Sequence, residues 1–267
     1  MRRLPAVAGQ FYYATTSKLT QQVDQYIDRN AKKESVIAIV SPHAGLVYSG
    51  SVAGAVYSRI NFPETFVLLG PNHTGLGPQI SLMHSGEWEI PTGIFEIDEK
   101  ISHFISLNVP VVTKDDKAHI FEHSLEVQLP FIAYFLKKPK IVPIVMISAT
   151  SEECRILGEG IAKAVKKAGY PVVIVASSDM CHYVTDRVAR QKDMRAIDRI
   201  LSLSPEGLYE IVKKEGISMC GYLPTTTMLY AAKALDARSA RLVKYSTSAE
   251  VSGDYDYVVG YAGIILK

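Results

Sequence analysis

Two histidines and a cysteine carry the first chemical signal. His43 and His73 lie in SPHAG and GPNHTG, and Cys220 lies in MCGYLP. Neutral imidazole and thiolate are ligands for first-row transition metals, and three protein ligands leave a coordination position for water or substrate. The three are far apart in the chain, so no compact ligand spacing supports them. Taken singly, each also has a plainer reading: two turn histidines bonded to backbone, and one small core cysteine. Cys220 gains weight by standing just before a helix that Pro224 is expected to begin, because a helix N-terminus favours thiolate. Asp179 and His182, in SSDMCHY, form a second candidate set. Imidazole is the side chain suited to moving protons near neutral pH, so His182 is a candidate general acid or base, and Asp179 is its candidate orienting partner. The alternative is that Asp179 caps a turn and His182 is exposed. Glu122, His123 and Glu126 read as the start of a helix, where the dipole alone favours a carboxylate. His84, His103 and His119 read as surface residues, and Cys154 and Cys181 as structural.

The elements that must position these groups share one pattern. VIAIVSPHAG, TFVLLGPNHTG and VVIVASSDMCHY each run from an apolar stretch straight into Gly, Pro, Ser, Asp or His. A continuous apolar run reads as a strand buried on both faces. In open α/β sheets, ligands bind at the carboxyl ends of such strands. Parallel, neighbouring strands would therefore bring His43, His73, Asp179 and His182 together.

The rest of the chain alternates strand and helix. Residues 1–14 read as an irregular arm, followed by a helix from Thr16 or Ser17 to about Arg29. Residues 79–97 read as a β-hairpin excursion turning at Pro91-Thr92-Gly93. Pro130 predicts a kink or two abutting helices in EHSLEVQLPFIAYFL, and Pro143 predicts an irregular or edge position for the strand near 140–148. Thr150 and Glu153 read as a capping box; Pro205 and Gly216 bracket a later helix. The expected fold is α/β, a three-layer α/β/α sandwich with a mixed, largely parallel sheet, in one domain over 1–267.

Composition narrows the function classes. Of 267 residues, 48% are hydrophobic and 21% charged, with a net charge of +2. That is the profile of an ordinary globular chain, and the scattered Lys and Arg point to no nucleic acid. No apolar stretch is long enough for a bilayer span, and the start MRRLPAVAGQFYY lacks the apolar core of a signal peptide. Three cysteines without framework spacing suit a reducing compartment, so a cytoplasmic location is expected.

Five motifs in order, SPHAGLVYSG, GPNHTG, EHSLEVQLPF, SSDMCHY and MCGYLPTTTML, resemble the Memo (mediator of cell motility) family, whose members are bacterial, archaeal and animal. Its fold is similar to the LigB-like class III extradiol dioxygenases, non-haem iron enzymes that hold Fe(II) with two His and one Glu and use a further His as acid or base. The resemblance implies that His43 and His73 are metal ligands. It implies that Cys220 replaces the carboxylate, that His182 is the acid/base histidine with Asp179 beside it, and that His123 lies near the pocket. Phe11 stands where other members carry GSW or GSF. A thiolate ligand shifts preference toward zinc or copper, so the expected cofactor is a transition metal ion: iron, copper or zinc. Three functions follow as expectations. They are a metal-dependent redox protein, a non-catalytic protein binding metal and a small molecule or peptide in the same cleft, and a zinc hydrolase.

Overall fold

Along the central strands nearly every side chain is apolar, and neighbours point to opposite faces. Val67 and Leu69 enter one core while Phe66 and Leu68 enter another. The same split separates Val40 from Ile39, and Ile174 from Val175. Both faces must therefore be covered, which fixes three layers. The computed structural model describes Met1–Lys267. Helices Ser151–Ala168, Asp186–Leu201 and Tyr222–Ala234 cover the first face through Leu157, Ile161, Ile197 and Met228. Helices Thr16–Asp24, Leu46–Tyr57 and Leu129–Phe135 cover the second through Leu19, Val56 and Phe131.

The sheet is mixed and largely parallel at its centre. Gly93–Ile97, Lys140–Met146, Thr65–Pro71, Val172–Ser177 and Ala38–Ser41 lie side by side in that order, all parallel. Val258–Leu266 then runs antiparallel beside Ala38–Ser41 and pairs with Ala240–Thr247 and His182–Val184. The strands that precede His43, Asp179 and His73 are thus immediate neighbours, with Val172–Ser177 in the middle. The registers Ser41↔Ser177 and Leu69↔Ala176 bring their carboxyl ends to one level.

Several elements differ from their sequence reading. The arm is not wholly irregular: Arg2–Arg3 pairs with Glu87–Ile90, which forms the expected hairpin with Gly93–Ile97. The first helix stops at Asp24, short of Arg29. Pro143 lies in an interior strand. One edge of Lys140–Met146 pairs first with Gly93–Ile97, at Lys140 and Ile141, and then with Ile80–Leu82, at Ile144 to Met146. Pro143 falls at that change of partner, where a missing N–H is tolerated. Pro130 marks abutting helices, Glu126–Gln128 in 3-10 form and Leu129–Phe135 in α form. Glu122 and His123 therefore precede the helix instead of beginning it. The Thr150–Glu153 capping box is present, and Gly169 and Gly216 end their helices with positive φ.

Candidate metal centre

His43, His73 and His123 each bring one ring nitrogen into a group whose members all lie within 4.8 Å of one another. Ring centroids are 5.3 Å apart for His43 and His73, 5.5 Å for His43 and His123, and 4.6 Å for His73 and His123. His43 is buried, His123 half-buried and His73 the most open, so the cluster faces solvent on one side only.

Hydrogen bonds around His43 settle its tautomer. The Gln128 amide accepts from Tyr57 O–H and donates to the Pro42 carbonyl and to Ser177 Oγ. Ser177 Oγ spends its own proton on the Ser124 carbonyl at 2.6 Å. It can then only accept from His43 Nδ1, 2.9 Å away. His43 is thus protonated on Nδ1, and its Nε2 lone pair faces Cys220 Sγ. Burial, then the neighbouring His123 and His73, holds its pKa well below the usual histidine range. His73 is fixed in the same sense by Glu122, whose Oε1 accepts from its Nδ1 at 2.9 Å and whose Oε2 accepts from its backbone N–H. Burial alone would raise the Glu122 carboxyl. The hydrogen bond and charge from His73, the charge of His123 and the Ser124 N–H bring it down to about 2. A carboxylate behind a ligand histidine sets its tautomer and raises its basicity. His123 takes no ring hydrogen bond; its Nδ1 stands 3.4 Å from Glu122 Oε1, and Phe11 lies against its ring at 4.7 Å.

Cys220 Sγ lies 3.3 Å from His43 Nε2 and accepts from the Asp179 N–H at the same distance. Bonds of about 2.0–2.3 Å at tetrahedral angles place two donors of one zinc roughly 3.5 Å apart, so this contact suits a shared ion. Its helix begins at Tyr222, two residues before Pro224. The expected lowering of the thiol pKa is not seen: burial first, then the Asp179 charge, pushes it up. Gly221 has a packing reason, since a Cβ there would meet Ser177 O and Ser178 Cβ at 2.4 Å. Only glycine lets the Cys220 turn approach the strand end this closely.

Asp179 is buried and accepts from the backbone N–H groups of His43 and Ala44 at 2.8 and 3.3 Å. It ties the His43 turn to the neighbouring strand end, and burial raises its pKa. His182 is half-exposed; its Nδ1 lies 2.9 Å from Ser218 O, which leaves Nε2 unengaged. His119, read as a surface residue, is fully buried edge-on to Trp88 with neither ring nitrogen hydrogen-bonded. Its short helix, Lys117–Ile120, packs inward beneath the arm.

Sequence reasoning missed Ser177, Gln128 and the specific task of Glu122. A serine ending a site strand and the Glu-His dipeptide of EHSLEVQL were the available signals, but only the fold shows which histidine each one faces. The donor chemistry fits a transition metal: two lone pairs fixed by tautomer, a third imidazole, and one sulfur.

A family model described as Memo-like protein matches residues 3–265. A MEMO1 family protein of Sulfurisphaera tokodaii is 41% identical over 282 residues, covering 99% of each chain. Another, of Methanosarcina barkeri, is 42% identical over 267 residues, covering 99% of this chain and 100% of its own. The crystal structure of an uncharacterized protein from Escherichia coli K12 superposes with a TM-score of 0.56 at 16% identity. It covers 84% of this chain and 98% of that one, a likeness of fold alone. No helix is long and apolar enough to cross a membrane.

Proposed function

This chain belongs to the Memo-like family, and with that membership and its convergent imidazoles we propose that it is a metal-dependent redox protein built on one domain, 1–267. The single observation that carries the reading is the meeting of His43, His73 and His123 within one ion's reach. His43, His73 and Cys220 are the ligands expected from the motifs. His123, expected beside the pocket, suits a donor role better, because its ring is uncommitted to any hydrogen bond. A bound iron or copper ion supplies Lewis acidity and a redox centre.

The chain's own residues do the rest. Ser177 and Glu122 hold two imidazoles in the ligating tautomer. Asp179 pins the His43 turn, which leaves His182 as the group free to move a proton through Nε2. The open side at His73 admits a small molecule.

Elemental analysis after anaerobic purification, followed by oxygen uptake by the reduced iron- and copper-loaded protein, tests this. About one ion per chain is expected, with uptake in a loaded form. His182→Ala should keep the metal and lose the uptake. Bound metal with no uptake in any form would leave a non-catalytic binding protein, and hydrolysis by a zinc form alone would make it a hydrolase.

A further inference from the structure

The three imidazoles are not held by the same part of the molecule. His43 is fixed from the strand ends, through Ser177 and Asp179. His123, and the Glu122 that orients His73, belong to the segment 119–126, which lies outside the sheet and meets it at Ser124, bonded to the Pro71 carbonyl and to Ser177 Oγ. Much of what ties that segment down comes from residues 3–12. Arg3 is buried, donates to the carbonyls of His119 and Glu122 at 2.9 and 2.6 Å, and pairs with Glu126. Its guanidinium lies 4.3 Å from the centre of the Trp88 ring. Glu126 also accepts from Ala6 N–H at 2.8 Å, Val7 N–H at 3.1 Å and the Tyr12 hydroxyl. Two residues of opposite charge, buried side by side, thus satisfy one another and five further polar groups. From this anchored arm, Phe11 reaches both halves of the site. Its ring lies on His123, and its carbonyl accepts from Leu46 N–H just past the His43 turn.

We propose that residues 3–12 are a strap that positions the third imidazole, with Arg3 and Glu126 as its anchor and Phe11 as the residue that seats His123. The proposal rests on the metal reading above. It differs from a general stabilising role because the Phe11 ring places its effect on one donor. Removing the Phe11 ring should lower metal affinity through His123 and leave the His43 side of the site in place, because the Phe11 carbonyl keeps its bond to Leu46 N–H. Phe11 carries no buried charge, so its removal perturbs the fold far less than breaking the Arg3–Glu126 pair, which would strand a buried charge.

The test is zinc affinity by competition with a chelator, on the full chain at pH 7 under reducing conditions, with thermal stability measured alongside. Phe11→Ala and Arg3→Met are each expected to weaken zinc by about ten- to a hundredfold, the range for residues that orient ligands. Phe11→Tyr should bind like wild type. Phe11→Ala combined with His123→Ala should bind no more weakly than His123→Ala alone, because the strap acts through that ring. Additive losses, or wild-type affinity in Phe11→Ala, would overturn the strap while tight binding abolished by His43→Ala upheld the site. Weak wild-type binding unchanged by His43→Ala would overturn the metal reading, and the strap with it. Should Arg3→Met fail to fold, the Phe11 variants still decide.

Discussion

At the carboxyl ends of the central strands, polar groups meet with donor capacity unspent. At the amino ends of the same strands, a cleft holds polar groups that largely satisfy one another. That second cleft, about 1160 Å³, is lined by Glu64, Thr65, Asp98, Lys100, Lys140 and Tyr170 among others. There Asp98 accepts from the Thr65 and Tyr170 hydroxyls and from Ile101 N–H, and Lys100 donates to the Ala168 carbonyl. Asp98 caps a helix; Glu122, equally buried, orients the solvent-facing His73 imidazole. What separates the two ends is whether the hydrogen bonds close on themselves or leave lone pairs pointing outward.

Removing one carboxylate from each end would break or sharpen this contrast most strongly. Glu122→Ala should weaken metal binding about ten- to a hundredfold, since His73 loses the partner that fixes its Nδ1 proton. Asp98→Ala should cost about 1 kcal/mol of stability as a lost helix cap and leave metal affinity unchanged. Competition titrations and thermal melts on both variants check the pair. Equal metal affinities in the two would erase the distinction between the ends.

A pH-dependent effect separates the ring that faces the site from the one buried beneath the arm. Burial, then the Arg3 charge, pushes the His119 pKa down to about 3. The folded chain refuses a proton that the unfolded chain accepts near 6.5. Stability from this group is complete above that value and is lost as pH falls toward 3, at about 1.4 kcal/mol per pH unit. His119→Met, which fills the site without ring nitrogens, should flatten the acid limb of the stability profile of the metal-free protein by one proton. Denaturant melts between pH 7 and pH 4 measure it, and an unchanged slope would mean that His119 is hydrogen-bonded in solution. Glu122 has the same sign in a lower window, its contribution lost as pH falls from the ordinary carboxylate range through about 2.

The contrast also explains what the sequence could disclose. Strand-borne features were legible, because apolar runs that end in Pro-His or Ser-Asp declare both the strand and the side chain it delivers. His43, His73 and Asp179 converge for that reason. Contacts made by loops and by the arm were not legible. Arg3 reads as a charged terminal residue until Glu126 and two carbonyls from a distant loop surround it. Glu122 and His123 read as a helix start because EHSLEVQL has helical spacing. The 3-10 turn at Glu126–Gln128 leaves both residues outside the helix and sends them to the site. His119 looked exposed because its neighbours Asp115, Asp116 and Lys117 are polar, and nothing local shows that Trp88 and Arg3 close over it.

The most direct test of the metal centre is an anaerobic cobalt(II) titration of the reduced protein, followed by optical absorption, for wild type, His43→Ala and Cys220→Ala. One equivalent should saturate wild type, with the visible bands of a low-coordinate nitrogen and sulfur site and a near-ultraviolet thiolate-to-cobalt transition. Cys220→Ala should lose the thiolate band and bind more weakly, and His43→Ala should show no saturable binding. A wild-type spectrum identical to that of hydrated cobalt, or one indifferent to both substitutions, would contradict the account.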